Sequence, residues 1–164
     1  MFLGTYIMTF SIKPATIEQK QIIYALIQPY LDELSHFPDQ NPDPKDGNGV
    51  YLYPDLDAYW QEAARYPYLL YSNSKIAGFA LVRLDGEHWE MAEFYVLPEF
   101  RRRGLAMTCA TEIFKRHPGE WRIGFNKHNQ PSRALWQKLA EHLSKGEILA
   151  GEEDTNHDYI RFSV

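Results

Sequence analysis

The sequence predicts a mixed α/β single domain, residues 1–164, with its elements in the order ααβββαβαββ. Three observations carry this. The chain has 164 residues, 45% of them hydrophobic, enough for one domain with a sizeable core. Two helical patterns come first, followed by three β-rich runs joined by short polar turns. Beyond Pro98 the pattern alternates helix, strand, helix and closes on two strands, with no internal repeat and no low-complexity tract.

Residues 1–15 read as an N-terminal extension and a first strand. Met1–Phe10 is apolar but short and has no positive n-region, which fits neither a signal peptide nor a membrane span; Met8 is an alternative start. Thr16 and Gln19 have capping-box spacing. Behind them Ile22, Ile23, Leu26, Ile27, Tyr30, Leu31 and Leu34 recur at helical intervals and predict a helix over Ile17–Leu34, which Pro29 should kink or split. Residues 38–50 are rich in Pro, Gly, Asp and Asn, the composition of a loop; one of this length inside a compact domain suits a lid or a binding loop. Asp57–Arg65 reads as a short second helix.

Tyr68–Asn73, Ile76–Leu84 and Trp89–Leu97 read as strands, the last two joined at the Asp85-Gly86 hairpin signal. Regular alternation puts Trp89, Met91, Glu93 and Tyr95 on one face, and Glu90, Ala92, Phe94 and Val96 on the other; a bulge would change that assignment. Ala106, Cys109, Ala110, Ile113 and Phe114 form the stripe of an amphipathic helix stopped by Pro118-Gly119. Trp121–Asn126 is a further strand. Pro131 suits the first turn of a helix continued by Leu135, Trp136, Leu139 and Leu143. Strand character returns at Glu147–Ala150 and Tyr159–Val164.

Charge and cysteine usage narrow the function. The formal net charge is −5, which argues against a nucleic-acid binder, since that class needs a basic field. The single cysteine, Cys109, excludes an internal disulfide and a Cys-rich zinc site and suits a reducing cytoplasm. On an apolar helix face with no base nearby in sequence, it reads as a buried structural thiol rather than a nucleophile.

The segment Val96-Leu97-Pro98-Glu99-Phe100-Arg101-Arg102-Arg103-Gly104-Leu105-Ala106 carries the chemistry. A strand ends, Pro98 breaks its ladder, and a basic loop opens a helix. The first turn of a helix offers unpaired N–H groups at the positive end of its dipole, which together make an anion site. Gly104 and Ala106 let a pyrophosphate approach the backbone, and the three arginines add charge-assisted donors. An arginine run at a helix start is unfavourable against the dipole unless an anion sits there. The longer loop of a P-loop and the Gly-x-Gly-x-x-Gly fingerprint are both absent.

These residues resemble the GNAT family of N-acetyltransferases. The family's coenzyme A loop, Gln/Arg-x-x-Gly-x-Gly/Ala after a strand ending in Val-x-Pro, is matched by Arg101–Ala106 after Val96-Leu97-Pro98. Its second motif, Asn-x-x-Ala/Ser-x-x-Leu/Phe-Tyr, is matched by Asn129-Gln130-Pro131-Ser132-Arg133-Ala134-Leu135-Trp136. The resemblance covers about Tyr68 to Leu143. It implies a central mixed, mostly antiparallel twisted sheet flanked by helices, and transfer of an acetyl group from acetyl-CoA to an amine. It further implies that Phe94, Tyr95 and Val96 present backbone to the pantetheine arm, one N–H acting as an oxyanion donor. Arg101, Arg102, Arg103, Gly104, Leu105, Ala106 and Met107 would hold the pyrophosphate, Asn129 and Trp136 would line the pantetheine, and strands would splay near Val96 and Phe125.

Trp136 departs from the family, which commonly has a tyrosine there to protonate the leaving thiolate. An indole N–H is no usable acid near neutral pH. Either the thiolate leaves unassisted or another group serves, with Tyr95 ahead of Tyr159. For the base that takes the amine proton, Glu93 leads; Glu90, His88 and His128 are weaker, and an acceptor with enough neutral amine needs none. The acidic and aromatic stretch with Tyr51, Tyr53, Asp55 and Tyr59 suits a cationic acceptor, a small-molecule amine or a peptide amine. A non-catalytic acyl-CoA-binding module is the rival reading. Neither nucleic acid nor membrane is expected as a partner, and the chain is expected to be a monomer or homodimer.

Overall fold

The computed structural model describes residues 7–164, so Met8 lies inside the described chain and Met1 outside it. Among the described residues one seven-stranded sheet organises the fold. Its strands are β1 (Phe10–Pro14), β2 (Arg65–Ser72), β3 (Lys75–Asp85), β4 (His88–Val96), β5 (Glu120–Asn126), β6 (Leu149–Glu152) and β7 (His157–Ser163). They lie in the order β1-β2-β3-β4-β5-β7-β6, and only the β4–β5 pair is parallel. Four α-helices of the described residues cover it: α1 (Lys20–Leu34), α2 (Ala58–Gln61), α3 (Leu105–Arg116) and α4 (Gln130–Leu143). This is the mixed, mostly antiparallel sheet flanked by helices that the sequence implied. The first strand read within residues 1–15 is Phe10–Pro14; it precedes both N-terminal helices and so stands before the ααβββαβαββ series.

The apolar periodicities become two cores, one on each face. On one side α3 and α4 press Ile113, Phe114, Trp136 and Leu139 against Trp121 and Phe162. On the other, α1 presents Ile23, Ile27 and Leu31, spaced by one turn, to Leu69, Phe79 and Leu81. α1 runs on through Pro29 instead of dividing there. A single missing hydrogen bond is outweighed by the buried stripe, since packing supplies most helical stability in a protein. A 3-10 turn, Ile17–Gln19, leads into it, with the Gln19 side chain accepting the Thr16 N–H at 3.0 Å. α2 is shorter than its sequence pattern because Arg65 and Tyr66 pair with β3.

β4 corrects the face assignment. Leu81 pairs with Glu93 and Val82 with Met91, which leaves Ala92 as an extra residue, a β-bulge. Trp89 and Met91 therefore share the α3/α4 face with Phe94 and Val96, while Ala92, Glu93 and Tyr95 turn toward α1. Among the described residues no helix is long and apolar enough to cross a membrane.

Candidate active site

β4 and β5 pair only at Trp89–Trp121 and Glu90–Arg122. Beyond that point they part, and the wedge between them holds two hollows. One, of about 380 Å³, runs from Arg101 and Ala106 past Phe94, Tyr95 and Val96 to Trp136. The other, of about 220 Å³, lies against Glu93, Gly124, Phe125 and Asn126. They share Tyr30, Leu34, Phe94, Asn129, Ser132 and Trp136, so they lie side by side along the wedge and together make up its slot. A larger hollow of about 460 Å³ between α4 and the β6–β7 hairpin shares Phe125 but contains neither Glu93 nor the basic loop.

The opened edge of β4 carries free backbone. The Leu97 N–H bonds to Ala77 O at 2.8 Å, on the β3 side. By the alternation of an antiparallel ladder, the N–H groups of Phe94 and Val96 face the side that β5 has left. Gly78 makes room behind this edge, since a Cβ there would fall 2.0 Å from Tyr95 O.

The basic loop is shaped by two left-handed residues, Arg102 (φ 61°) and Gly104 (φ 84°), the latter the N-cap of α3. The first backbone bond after it is Thr108 N–H to Gly104 O at 3.1 Å. Among the described residues, no acceptor meets the N–H of any residue from Arg102 to Met107, and the first turn of α3 carries no acid. The space in front of Gly104 is open. Six donors at a positive helix end are the chemistry a pyrophosphate needs, so the residues present fit coenzyme A. Arg102 and Arg103 are exposed there. Arg101 corrects the picture of three equivalent arginines: its Nη1 and Nη2 fork onto Glu33 at 2.8 and 2.7 Å, and its Nε donates to Val96 O at 2.8 Å. It ties α1 to the end of β4 and forms the slot wall.

On the opposite wall Asn129 caps α4, its side chain accepting the Ser132 N–H at 3.1 Å. The Trp136 indole is buried, donates to Ser132 Oγ at 2.9 Å, and meets the Phe94 ring edge-on at 5.2 Å. Its single polar hydrogen is thus already used.

Glu93 sits at the far end of the slot. Tyr30 Oη donates to its Oε2 at 2.5 Å and Tyr53 Oη to its Oε1 at 2.9 Å. Burial is the largest influence and lifts the carboxyl to about 7, against the two phenol hydrogen bonds that favour the carboxylate. Asp43 raises it further and Arg83 opposes that. Both phenols are pushed upward by burial and by the Glu93 charge. A carboxyl near 7 at the end of a slot has the affinity expected of a general base. Tyr95 points to the same side; its ring is buried against Phe79 and lies under Arg101. Burial raises its phenol.

The four acceptor-side residues are not gathered at one point. Only Tyr53 reaches Glu93. Tyr51 and Tyr59 are buried in the α1-side core, at 6% and 3% exposure, and Asp55 is exposed. Their aromatic rings anchor the loop rather than pave a surface: the Tyr51 backbone is clasped by Gln28 through bonds of 2.9 and 3.0 Å. The other end of loop 38–50 is tied across the wedge, with Asn126 Nδ2 donating to Gln40 Oε1 at 3.0 Å and Asn156 Nδ2 to Asp39 O at 2.8 Å. Of the other titrating groups, Cys109 is buried and raised to about 12, and Glu90 is paired with Arg83 at 2.7 Å. His117, buried against Tyr68, is lowered to about 4. Tyr30 and Ser132 were not singled out from the sequence. Tyr30 reads there as one more member of an apolar stripe, and Ser132 as a motif position.

The model of the acetyltransferase (GNAT) family matches residues 30–140. Among curated protein sequences none matches significantly. The fold is similar to that of PaiA N-acetyltransferase from Thermoplasma acidophilum in complex with coenzyme A, with TM-score 0.67 and 12% identity, covering 96% of this chain and 100% of that one. It is equally similar to spermidine N-acetyltransferase from Vibrio cholerae, with TM-score 0.67 and 10% identity, covering 94% and 95%. The ribosomal-protein-S18-alanine N-acetyltransferase of Escherichia coli gives TM-score 0.61 at 16% identity, covering 95% and 93%. With the family model spanning the loop, the wedge and most of α4, the chain belongs to the GNAT acetyltransferase family.

Proposed function

We propose that the protein is an N-acetyltransferase that moves the acetyl group of acetyl-CoA to a primary amine by direct attack in a ternary complex. One observation carries this reading: two adjoining hollows run from Ala106 in the first turn of α3, where the N–H groups of Arg102–Met107 meet no acceptor among the described residues, to a carboxyl held near 7. Acetyl-CoA supplies an activated thioester carbonyl. The N–H groups of Arg102–Met107, with the Arg102 and Arg103 side chains, hold its pyrophosphate, and Phe94, Val96, Asn129 and Trp136 line the pantetheine path. The Phe94 N–H donates to the carbonyl oxygen as it gains charge, a role that typically contributes several kcal/mol. Glu93 accepts the amine proton. The acceptor enters under loop 38–50, where Asp43 and Glu93 favour a cation; relatives of this fold act on spermidine and on the alanine of a ribosomal protein, so a small polyamine and a peptide N-terminus are the two acceptor types to test.

The experiment is calorimetry with acetyl-CoA, followed by thiol release with butylamine, spermidine and an alanyl peptide. Micromolar binding with amine-dependent release is expected. No binding at millimolar acetyl-CoA would sink the proposal. A non-catalytic acyl-CoA-binding module is the second reading, favoured by Trp136, and it predicts binding with no release.

A further inference from the structure

We propose that Tyr30 is the proton relay of this reaction, carrying to the leaving sulfur the proton that Glu93 takes from the amine. The inference rests on the acetyltransferase reading above. With the pantetheine in the first hollow and Glu93 facing the second, the reacting atoms meet where the two adjoin. Of the six residues the hollows share, two carry a hydroxyl, Tyr30 and Ser132. Ser132 is engaged by the Trp136 indole and has no bond to the base. Tyr30 is bonded to Glu93 Oε2 at 2.5 Å and lines both hollows. Its ring is fixed by Phe79 and Tyr95, with centroids at 5.7 and 5.5 Å.

A thiol with an ordinary pKa of about 8.5 is protonated at neutral pH, and removal from water disfavours the thiolate further, so a sulfur leaving between the Phe94 and Trp136 rings departs most easily with a proton. As the N–C bond forms and the C–S bond breaks, the amine proton passes to Glu93 Oε, Glu93 gives a proton to Tyr30 Oη, and Tyr30 gives its own to sulfur. The products are amide and free thiol, and the carboxylate and phenol are regenerated. Tyr30 never has to exist as a free phenolate, a species its surroundings disfavour.

Tyr53 provides the internal comparison. It makes the other hydrogen bond to Glu93, at 2.9 Å, yet lines neither hollow. Tyr30→Phe and Tyr53→Phe should both move the pH–rate limb upward, because each removes a bond that favours the carboxylate. They should part at high pH. There the Tyr30→Phe plateau falls roughly a hundredfold below wild type, the scale of a lost general acid, and at least about tenfold below that of Tyr53→Phe. The test is turnover of acetyl-CoA with butylamine, spermidine and the alanyl peptide across pH, with coenzyme affinity and melting temperature measured for each variant. A Tyr30→Phe plateau matching that of Tyr53→Phe overturns the relay while leaving the acetyltransferase reading intact. Wild-type protein that turns over none of the amines overturns both. Rates of wild type in H₂O–D₂O mixtures need no variant: a bowed dependence, from more than one proton in flight, supports the relay, and a straight line overturns it.

Discussion

The two ends of the slot are built on different principles. The end at α3 is made of backbone: consecutive N–H groups, a left-handed Gly104 and the start of a helix, all within one short segment of chain. The end at Glu93 is made of side chains from three separated segments, Tyr30 on α1, Tyr53 after the loop and Glu93 on β4. A backbone site depends on local conformation and tolerates most side-chain changes. A side-chain site depends on long-range packing and is altered by single substitutions.

The sharpest way to separate the ends is to damage one and assay the other. Replacing Arg103 and Gly104 together by glutamate removes a cation, adds two acids and strains a residue with φ 84°. Charge-assisted bonds contribute about 1.5–3 kcal/mol each, so coenzyme A affinity should fall more than about a hundredfold in calorimetry. Glu93→Gln should lower turnover by roughly a hundredfold or more and abolish the pH limb near 7, with coenzyme affinity held within about twofold. Equal loss of affinity in both variants would break the comparison.

A smaller effect joins the two ends. Gly78→Ala places a Cβ against Tyr95 O, and such overpacking typically costs about 1–3 kcal/mol. Thermal unfolding should shift down by roughly 2–4 °C per kcal/mol, and both coenzyme affinity and turnover should suffer because β4 serves both.

The last effect is on stability against pH and leaves coenzyme binding aside. The folded Glu93 carboxyl lies near 7, above its ordinary 4.5. The native state therefore keeps its proton where the unfolded chain has lost it. This contribution is full below about 4.5 and is lost as pH rises through about 7. At pH 8 Glu93→Gln should melt several degrees above wild type, with the difference shrinking toward pH 5.

The same contrast explains what could be read from the chain. The Arg101–Ala106 loop was legible because its conformation is local: a strand stop, a basic run and a Gly before a helical stripe stand side by side. Helices and strands with strong periodicity were legible for the same reason. The side on which Glu93 faces was not, because one extra residue at Ala92 reverses the alternation for the rest of β4, and the bulge is a property of pairing with β3. Nor was the partner of Glu93. Tyr30 falls in register with Ile23, Ile27 and Leu31, and only the packed sheet distinguishes a phenol that touches a carboxyl from one that merely fills a core. Arg101 shows the converse: its residue type suited an anion, but Glu33 from a distant helix claims it.

The parting of β4 and β5 also has a mechanical meaning. Strands β1–β4 form one plate and β5–β7 another, and between them the ladder holds only at the Trp89–Trp121 end. The plates resemble the jaws of a peg, sprung at one end and free at the other. A pantetheine arm bonded to the exposed edge of β4 and packed against α4 would stand in for the missing stretch of strand. Filling the slot should thus stiffen the whole sheet, and the amides of β5 nearest the opening should show the largest slowing of hydrogen exchange when coenzyme A is added.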